Sequence, residues 1–475
     1  MARRSRSFLA CCVVAAVTLG AAAGSAVPTG PVRLEVWRTT GDRSELFHRS
    51  ADVAWHASAA APQGMVVEVD PTRVYQPVDG FGGAMTGSSA WVLDHDLSAS
   101  ARDALLTSFY GASSGLGMTM VRVPLGPSDF SPAGPGTYDD TRGSLADFSL
   151  GTDLTTTVPL LRRAAQLSPS LKVVGSPWSA PAWMKTSGSV AGGTLAGSSY
   201  AVYAQYLVKA AQAWAAQGLP LYAMTVQNEP LLDTPAYPSM TLTPGQEAAF
   251  VGYSLGPRMA AAGLGTKIVV FDHNWDTPSY PLAVLADPAA RRYAAGTAFH
   301  CYGGSPARQT VVHDAYPALP VWTTECSGGT WGAGFAGDLV WASANTFVGS
   351  LRAWSRGVLW FNLALDTSGG PTSGGCSGCR GLVTVDPATG TWTKNPEYYV
   401  MAHFARFVRP GAHRVASSTA SGQVDTVAFV NTDGSTVLEL VNEGGAPRAV
   451  TVRYRGRDAV VTLPARSLVT LRWAG

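Results

Sequence analysis

Short β-branched or apolar runs, each bounded by turn-forming residues, recur through the middle of the chain and alternate with Ala- and Leu-rich stretches of helical spacing. The runs at 76–82, 118–124, 172–176, 222–227, 267–272, 296–302, 321–325 and 358–365 predict eight strands. Intervening stretches such as 98–110, 154–167, 200–218, 244–262 and 336–355 predict helices. Eight strands alternating with helices over about 290 residues is the count and scale of a (β/α)8 TIM barrel. A doubly wound open sheet would alternate similarly, but no Gly-rich phosphate turn follows the first run.

The two ends of the chain carry a different period. Residues 32–38 and 52–70 contain short alternating segments, and 424–430, 436–441, 449–454 and 467–473 alternate with period two between Gly and Asn/Asp turns such as Asn431-Thr432-Asp433-Gly434. This predicts an antiparallel β-sandwich beside the barrel, built from N- and C-terminal segments. The expected organisation is a leader at 1–26, N-terminal strands of the sandwich at 31–75, the barrel at 76–395, and the remaining sandwich at 396–475.

Active sites of such barrels lie at the C-terminal ends of the strands. Two glutamates fall there: Glu229, in Val226-Gln227-Asn228-Glu229-Pro230 after run four, and Glu325, in Trp322-Thr323-Thr324-Glu325-Cys326 at the end of run seven. A pair of carboxylates at one mouth is what glycoside hydrolysis requires, one as proton donor and one as nucleophile or base. Asp129, Trp178, His273, Asn274, His300, Tyr302 and Asn362 cluster at the same edge.

Composition narrows the reading further. The 475 residues include 52 Gly and 31 Pro, with 14% charged residues and a formal net charge of +2. That length suits one large domain with a smaller one, and the near-neutral balance offers no basic stripe for nucleic acid. Fourteen Trp and 16 Tyr supply apolar ring faces of the kind that pack on sugar C–H surfaces. Arg3, Arg4 and Arg6 precede an apolar stretch at 8–19, and Gly24-Ser25-Ala26 fits a small-x-small cleavage pattern. The apolar stretch is too short to span a membrane, so the expectation is a secreted protein without a stable membrane anchor. In an oxidising compartment Cys376 and Cys379 are disulfide candidates, and a zinc site at that spacing lacks a second ligand pair. For Cys301 and Cys326 a disulfide and two buried thiols both fit.

A set of motifs makes the chain resemble glycoside hydrolase family 30, which includes glucosylceramidases and β-1,6-glucanases. The set comprises Asp79-Gly80-Phe81-Gly82-Gly83-Ala84-Met85-Thr86, Arg122-Val123-Pro124 with Ser128-Asp129-Phe130-Ser131, and Ser176-Pro177-Trp178-Ser179-Ala180-Pro181. Gln227-Asn228-Glu229-Pro230, Asn362-Leu363-Ala364-Leu365-Asp366 and Asn395-Pro396-Glu397-Tyr398-Tyr399 complete it. The resemblance implies a retaining mechanism with Glu229 as acid/base and Glu325 as nucleophile. It implies that Asn228 bonds the sugar 2-hydroxyl, that Asp129 and Trp178 hold remote hydroxyls, that Tyr302 orients Glu325, and that Arg122 keeps that carboxylate charged. Phe361 and Cys301 stand where members often carry Trp, so the aromatic platform around the sugar is altered.

Each of these assignments has a structural alternative. Asn228 is also a turn cap, Asp129 a turn residue, Arg122 an ion partner inside the barrel, and His300 a core histidine. The expected substrate is a β-linked glucan or galactan, with β-1,6 linkage favoured by the resemblance. Glucosylceramide or small β-glucosides are the alternative, and a non-catalytic carbohydrate-binding protein on a hydrolase barrel is the alternative of another class. No cofactor or metal is expected.

Overall fold

The computed structural model describes residues 33–475 apart from residues 60, 61, 63, 64, 133, 135 and 420–422. The leader expected at 1–26 therefore lies outside the described residues. Eight parallel strands close into a barrel in chain order: Gly80–Ala84, Met120–Pro124, Lys172–Ser176, Leu221–Thr225, Lys267–Asn274, Ala294–His300, Val321–Glu325 and Ser355–Trp360. Its interior is filled by one inward side chain from each of seven strands: Met120, Val174, Ala223, Val269, Ala298, Trp322 and Leu359. The barrel is thus a packed core, and chemistry is confined to its mouth.

The seventh strand occupies the residues that its apolar pattern predicts, and the first and eighth do not. Residues 76 and 77 end a long strand of the accessory sheet, Met65–Pro77, and barrel strand one begins only at Gly80. That strand reads Gly-Phe-Gly-Gly-Ala because its neighbour presses on it: a Cβ on Gly82 would lie 1.8 Å from the Met120 carbonyl oxygen. Strand eight stops at Trp360, and Ala364–Asp366 pairs instead with Val383–Asp386 in a small separate sheet. The apolar run continues across that break, so periodicity alone could not place it. The helix expected over 244–262 starts with a Thr243–Gln246 capping box and contains a wider turn at Val251–Leu255.

The accessory sheet has ten strands. From one edge they run His48–Ala54, Arg33–Thr40, Ser467–Ala474, Ser435–Asn442, Val424–Val430, His413–Ser417, Met65–Pro77, Arg448–Tyr454, Arg457–Leu463 and His56–Ala57. All pairs are antiparallel except Met65–Pro77 with Arg448–Tyr454, a correction to the purely antiparallel expectation. Leu34, Val36, Val67, Leu438, Leu440, Val450, Val461 and Trp473 form a core of its own between the layers.

Residues 396–407, grouped with the sandwich from the sequence, form a helix, Pro396–Phe407. It lies between barrel and sheet. Phe404 packs on Phe81 and Phe347, and the buried His403 bonds Thr39 Oγ1 at 2.9 Å and Thr470 Oγ1 at 2.6 Å. A ring bonded on both nitrogens within an apolar seam fixes the sheet against the barrel, and burial pushes its pKa down to about 3.

Candidate active site

Asn228 and Glu229 follow barrel strand four and are tied to both neighbouring strands. Asn228 N–H donates to the Pro177 carbonyl at 2.8 Å, and Glu229 N–H donates to the Asp272 carbonyl at 3.0 Å. The backbone is held in the left-handed region at Glu229 (φ 48°), Phe271 (φ 78°) and Asp272 (φ 63°), a costly conformation for residues other than glycine. A buried carboxyl supports it: Glu247 Oε1 accepts the Phe271 N–H at 3.0 Å, and burial pushes Glu247 up to about 7.

Glu325 ends strand seven. It receives Arg122 Nη1 on one oxygen and the Tyr302 hydroxyl on the other, the latter at 2.9 Å. One carboxyl oxygen of Glu229 and one of Glu325 lie within 4.8 Å of each other. His300 Nδ1 stands 2.9 Å from Glu229 Oε1 and 4.0 Å from Glu325 Oε1, and His273 Nε2 is 4.0 Å from Glu229.

Below them lies a residue that the sequence reading placed at the end of run five without assigning it a role. Asp272 is fully buried and accepts four hydrogen bonds. Oδ1 takes His300 Nε2 at 3.0 Å and Thr324 Oγ1 at 2.5 Å; Oδ2 takes Arg122 Nη2 at 2.9 Å and Ser176 Oγ at 2.8 Å. Burial alone would raise this carboxyl, but Arg122 and His300 hold it well below the usual carboxylate range. Arg122 also donates to Asn228 Oδ1 at 2.8 Å and lies over the Trp178 ring at 4.7 Å. Arg122 and His300 are thus both buried ion partners and direct contacts of the two glutamates.

The electrostatics follow from these contacts. Burial opposes a charge on His300, yet Glu325 and Asp272 override it and push the imidazole up to about 10. Burial acts upward on both glutamates; Glu325 ends raised, and Glu229, beside an imidazolium, ends lowered. Shifting one proton along the 2.9 Å bond converts imidazolium and carboxylate into imidazole and carboxylic acid with no change in net charge. Glu325 faces two fixed donors, whereas Glu229's only side-chain hydrogen-bond partner among the described residues is the proton-trading His300. Beside the His300 imidazolium the charge rests on Glu229; once that proton crosses to Glu229, the remaining anion is the one that Arg122 and Tyr302 hold on Glu325.

A cavity of about 380 Å³ opens over the pair, lined by Asp129, Trp178, Asn228, Tyr302 and Phe361 together with the two glutamates. Trp178 stacks on Phe361 at 6.0 Å, and Phe130 meets the Phe361 edge at 5.4 Å. Asp129 is buried with Oδ1 unpartnered among the described residues; burial and the charges of Glu325 and Glu229 push it up to about 8. Asn362 is fully buried and absent from the lining; it instead accepts the Thr86 hydroxyl at 2.6 Å. Tyr237, Ser327 and Trp331, which escaped the sequence reading, also line the wall, as do Gly374, Gly375, Cys376 and Cys379. Only Trp331, an aromatic ring in a run of glycines, offered a signal.

Both cysteine pairs form disulfides. Cys376–Cys379 borders the cavity, and Cys301–Cys326 ties the ends of strands six and seven together, which resolves the alternative left open for the latter. Glu229, His300 and Glu325 have donor atoms spaced closely enough for a metal ion, but those atoms already bind one another, Asp272, Arg122 and Tyr302.

Paired carboxylates on strands four and seven, at the C-terminal mouth of a (β/α)8 barrel, define the class as a glycosidase. The glycosyl hydrolase family 30 TIM-barrel model matches residues 78–408 and the family 30 beta sandwich model matches residues 411–471; the chain belongs to this family and is a glycoside hydrolase. It is 36% identical to an endo-1,6-beta-D-glucanase of Neurospora crassa over 84% of this chain and 88% of the relative. It is 30% identical to the lysosomal acid glucosylceramidase of Mus musculus, over 86% and 84% respectively. A solved endo-beta1,6-glucanase superposes with a TM-score of 0.87 at 34% identity, covering 93% of this chain and 99% of that one.

Proposed function

We propose that the protein is a secreted, retaining endo-β-1,6-glucanase in which Glu325 is the nucleophile and Glu229 the acid/base. The observation that carries the mechanism is the separation of the two carboxyls, with oxygens within 4.8 Å. Retaining enzymes hold their carboxyls about 5–5.5 Å apart, and inverting ones about 6.5–9.5 Å apart to admit a water. Glu325 attacks the anomeric carbon, the glycosidic C–O bond breaks, and its electron pair leaves on the oxygen that takes the Glu229 proton. Water then attacks the glycosyl ester, gives a proton to Glu229, and releases Glu325 as carboxylate.

His300 serves this cycle from behind. Ionised Asp272 can only accept, so His300 Nε2 must carry a hydrogen, and Nδ1 is left to share the Glu229 proton. Asp129, pushed up to about 8 by burial and by the charges of Glu325 and Glu229, and Asn228 both line the cavity and are suited to bonding sugar hydroxyls. The β-1,6-glucan substrate is supported by the relatives named for that activity at 31–36% identity. Export is supported by the N-terminal pattern and by two disulfides in the fold.

The test is a Glu229→Ala enzyme supplied with azide and an activated aryl β-glucoside. The expected outcome is rescued turnover giving the β-glucosyl azide, with Glu325→Gln inactive throughout. An α-azide product would refute the retaining assignment. Oligosaccharides released from β-1,6-glucan by the wild type would establish the substrate and internal cleavage.

A further inference from the structure

Beside the catalytic cavity lies a second one, of about 520 Å³, whose wall includes Trp331, Trp341, Trp360 and the Gly328–Gly329 strand. We infer that this cavity is a carbohydrate subsite that takes sugar units on the leaving-group side of the scissile bond. The inference rests on the glucanase reading above and extends it to residues which that reading does not use.

Three observations support it. The first is continuity: Tyr302, Ser327 and Trp331 line both cavities. The shared edge lies at the nucleophile itself, because the Tyr302 hydroxyl bonds Glu325 at 2.9 Å and Ser327 Oγ at 2.6 Å. The boundary therefore falls beside the anomeric carbon, where the departing sugar sits, and away from the Asp129 end that faces the remote hydroxyls. A 1,6 linkage places an extra rotatable carbon between rings, which lets the chain turn at this boundary.

The second is the chemistry of the wall. Trp331 and Trp341 are 57% and 44% exposed, unusual for large apolar rings that have a core available. Trp360 is buried at 1% exposure, and its indole N–H has no partner among the described residues. Asp338 and Glu397 also line this wall, both held by Arg380. Ring faces with a few placed polar groups are the usual make-up of a small-molecule site.

The third is that the wall is preformed. Gly328 and Gly329 pair with Arg380 and Cys379, and Arg380 reaches Asp338 at 2.6 Å, Glu397 Oε2 at 3.1 Å and the Gly329 carbonyl at 3.2 Å. A Cβ on Gly329 would lie 2.1 Å from the Trp331 ring, so the ring rests directly on this backbone. Little ordering cost then remains for the ligand to meet.

The experiment measures kcat/KM for β-1,6-gluco-oligosaccharides of increasing length and for 4-nitrophenyl β-glucoside, using the wild type, Trp341→Ala and Trp341→Phe, each checked by thermal melting. In the wild type kcat/KM is expected to climb with length. Trp341→Ala should lose about tenfold of that climb relative to the nitrophenyl substrate, and Trp341→Phe, which keeps a ring, should retain most of it. A climb that both variants leave intact, or equal losses on every substrate, overturns the subsite alone. A wild type that cleaves the nitrophenyl glucoside and none of the oligosaccharides overturns the glucan reading, and the subsite with it.

Discussion

Replacing Asp272 with Asn isolates the part of the site that carries charge without touching substrate. Arg122 can only donate, so the Asn carbonyl must turn toward Arg122 and Ser176, leaving the amide NH2 facing His300. That NH2 donates to His300 Nε2 and forces the opposite tautomer, with Nδ1–H donating to Glu229. Glu229 is then held as a carboxylate and loses its function as an acid. General-acid catalysis contributes roughly 100- to 10,000-fold, so kcat on an unactivated β-1,6-linked oligosaccharide should fall by about that factor.

A 2,4-dinitrophenyl β-glucoside needs no proton on its leaving group, and its kcat should fall at least about tenfold less. Removing an anion that is fully buried against Arg122 also costs about 3–5 kcal/mol, seen as a melting temperature lower by several degrees. Both rates are measured on protein shown by melting to be folded at the assay temperature. Equal losses with the two leaving groups would refute the tautomer argument, as would an undiminished rate on the oligosaccharide.

Two further outcomes follow from the same geometry. Asp129 has a folded value of about 8 against an ordinary 3.8, so the native protein binds a proton that the unfolded chain has released. Its contribution to stability is complete below 3.8 and is lost as pH rises to about 8, at up to about 1.4 kcal/mol per pH unit. Asp129→Asn should therefore flatten the decline in melting temperature between pH 5 and 8, and an unchanged slope would place the proton elsewhere. The Cys301–Cys326 bond closes 25 residues and Cys376–Cys379 only three, so chain entropy predicts about 3.5 kcal/mol lost on breaking the first and roughly half that for the second. Denaturant unfolding of the two Cys→Ala double variants checks the order; the reverse order would mean that native packing outweighs loop closure.

Much of this protein was legible along the chain because the features concerned are local. Alternation of period two and 3.6 records which face of an element is buried, and each strand of a barrel or sandwich meets that condition by itself. Glu229 and Glu325 were visible for the same reason: a charged residue directly after an apolar run is a strand end, and in a barrel every strand end faces one mouth. The motifs around Asp129, Trp178 and Asn228 also lie within single strand-to-loop junctions.

What the chain could not show is what depends on two distant segments meeting. Asp272 reads as an ordinary strand-end aspartate until Arg122, Ser176, His300 and Thr324, from four other strands, converge on it. The break after Trp360 and the glycine strand at 80–84 depend on what neighbouring backbone presses against them, and period carries no record of that. Helix Pro396–Phe407 belongs to the seam because His403 meets Thr39 and Thr470, residues 364 and 67 positions away. Burial and charge are pair properties set by the closed barrel. The protonation states of Glu229 and Glu325 are therefore decided by the tertiary structure, while the placement of two carboxylates at one barrel mouth is already written in the sequence.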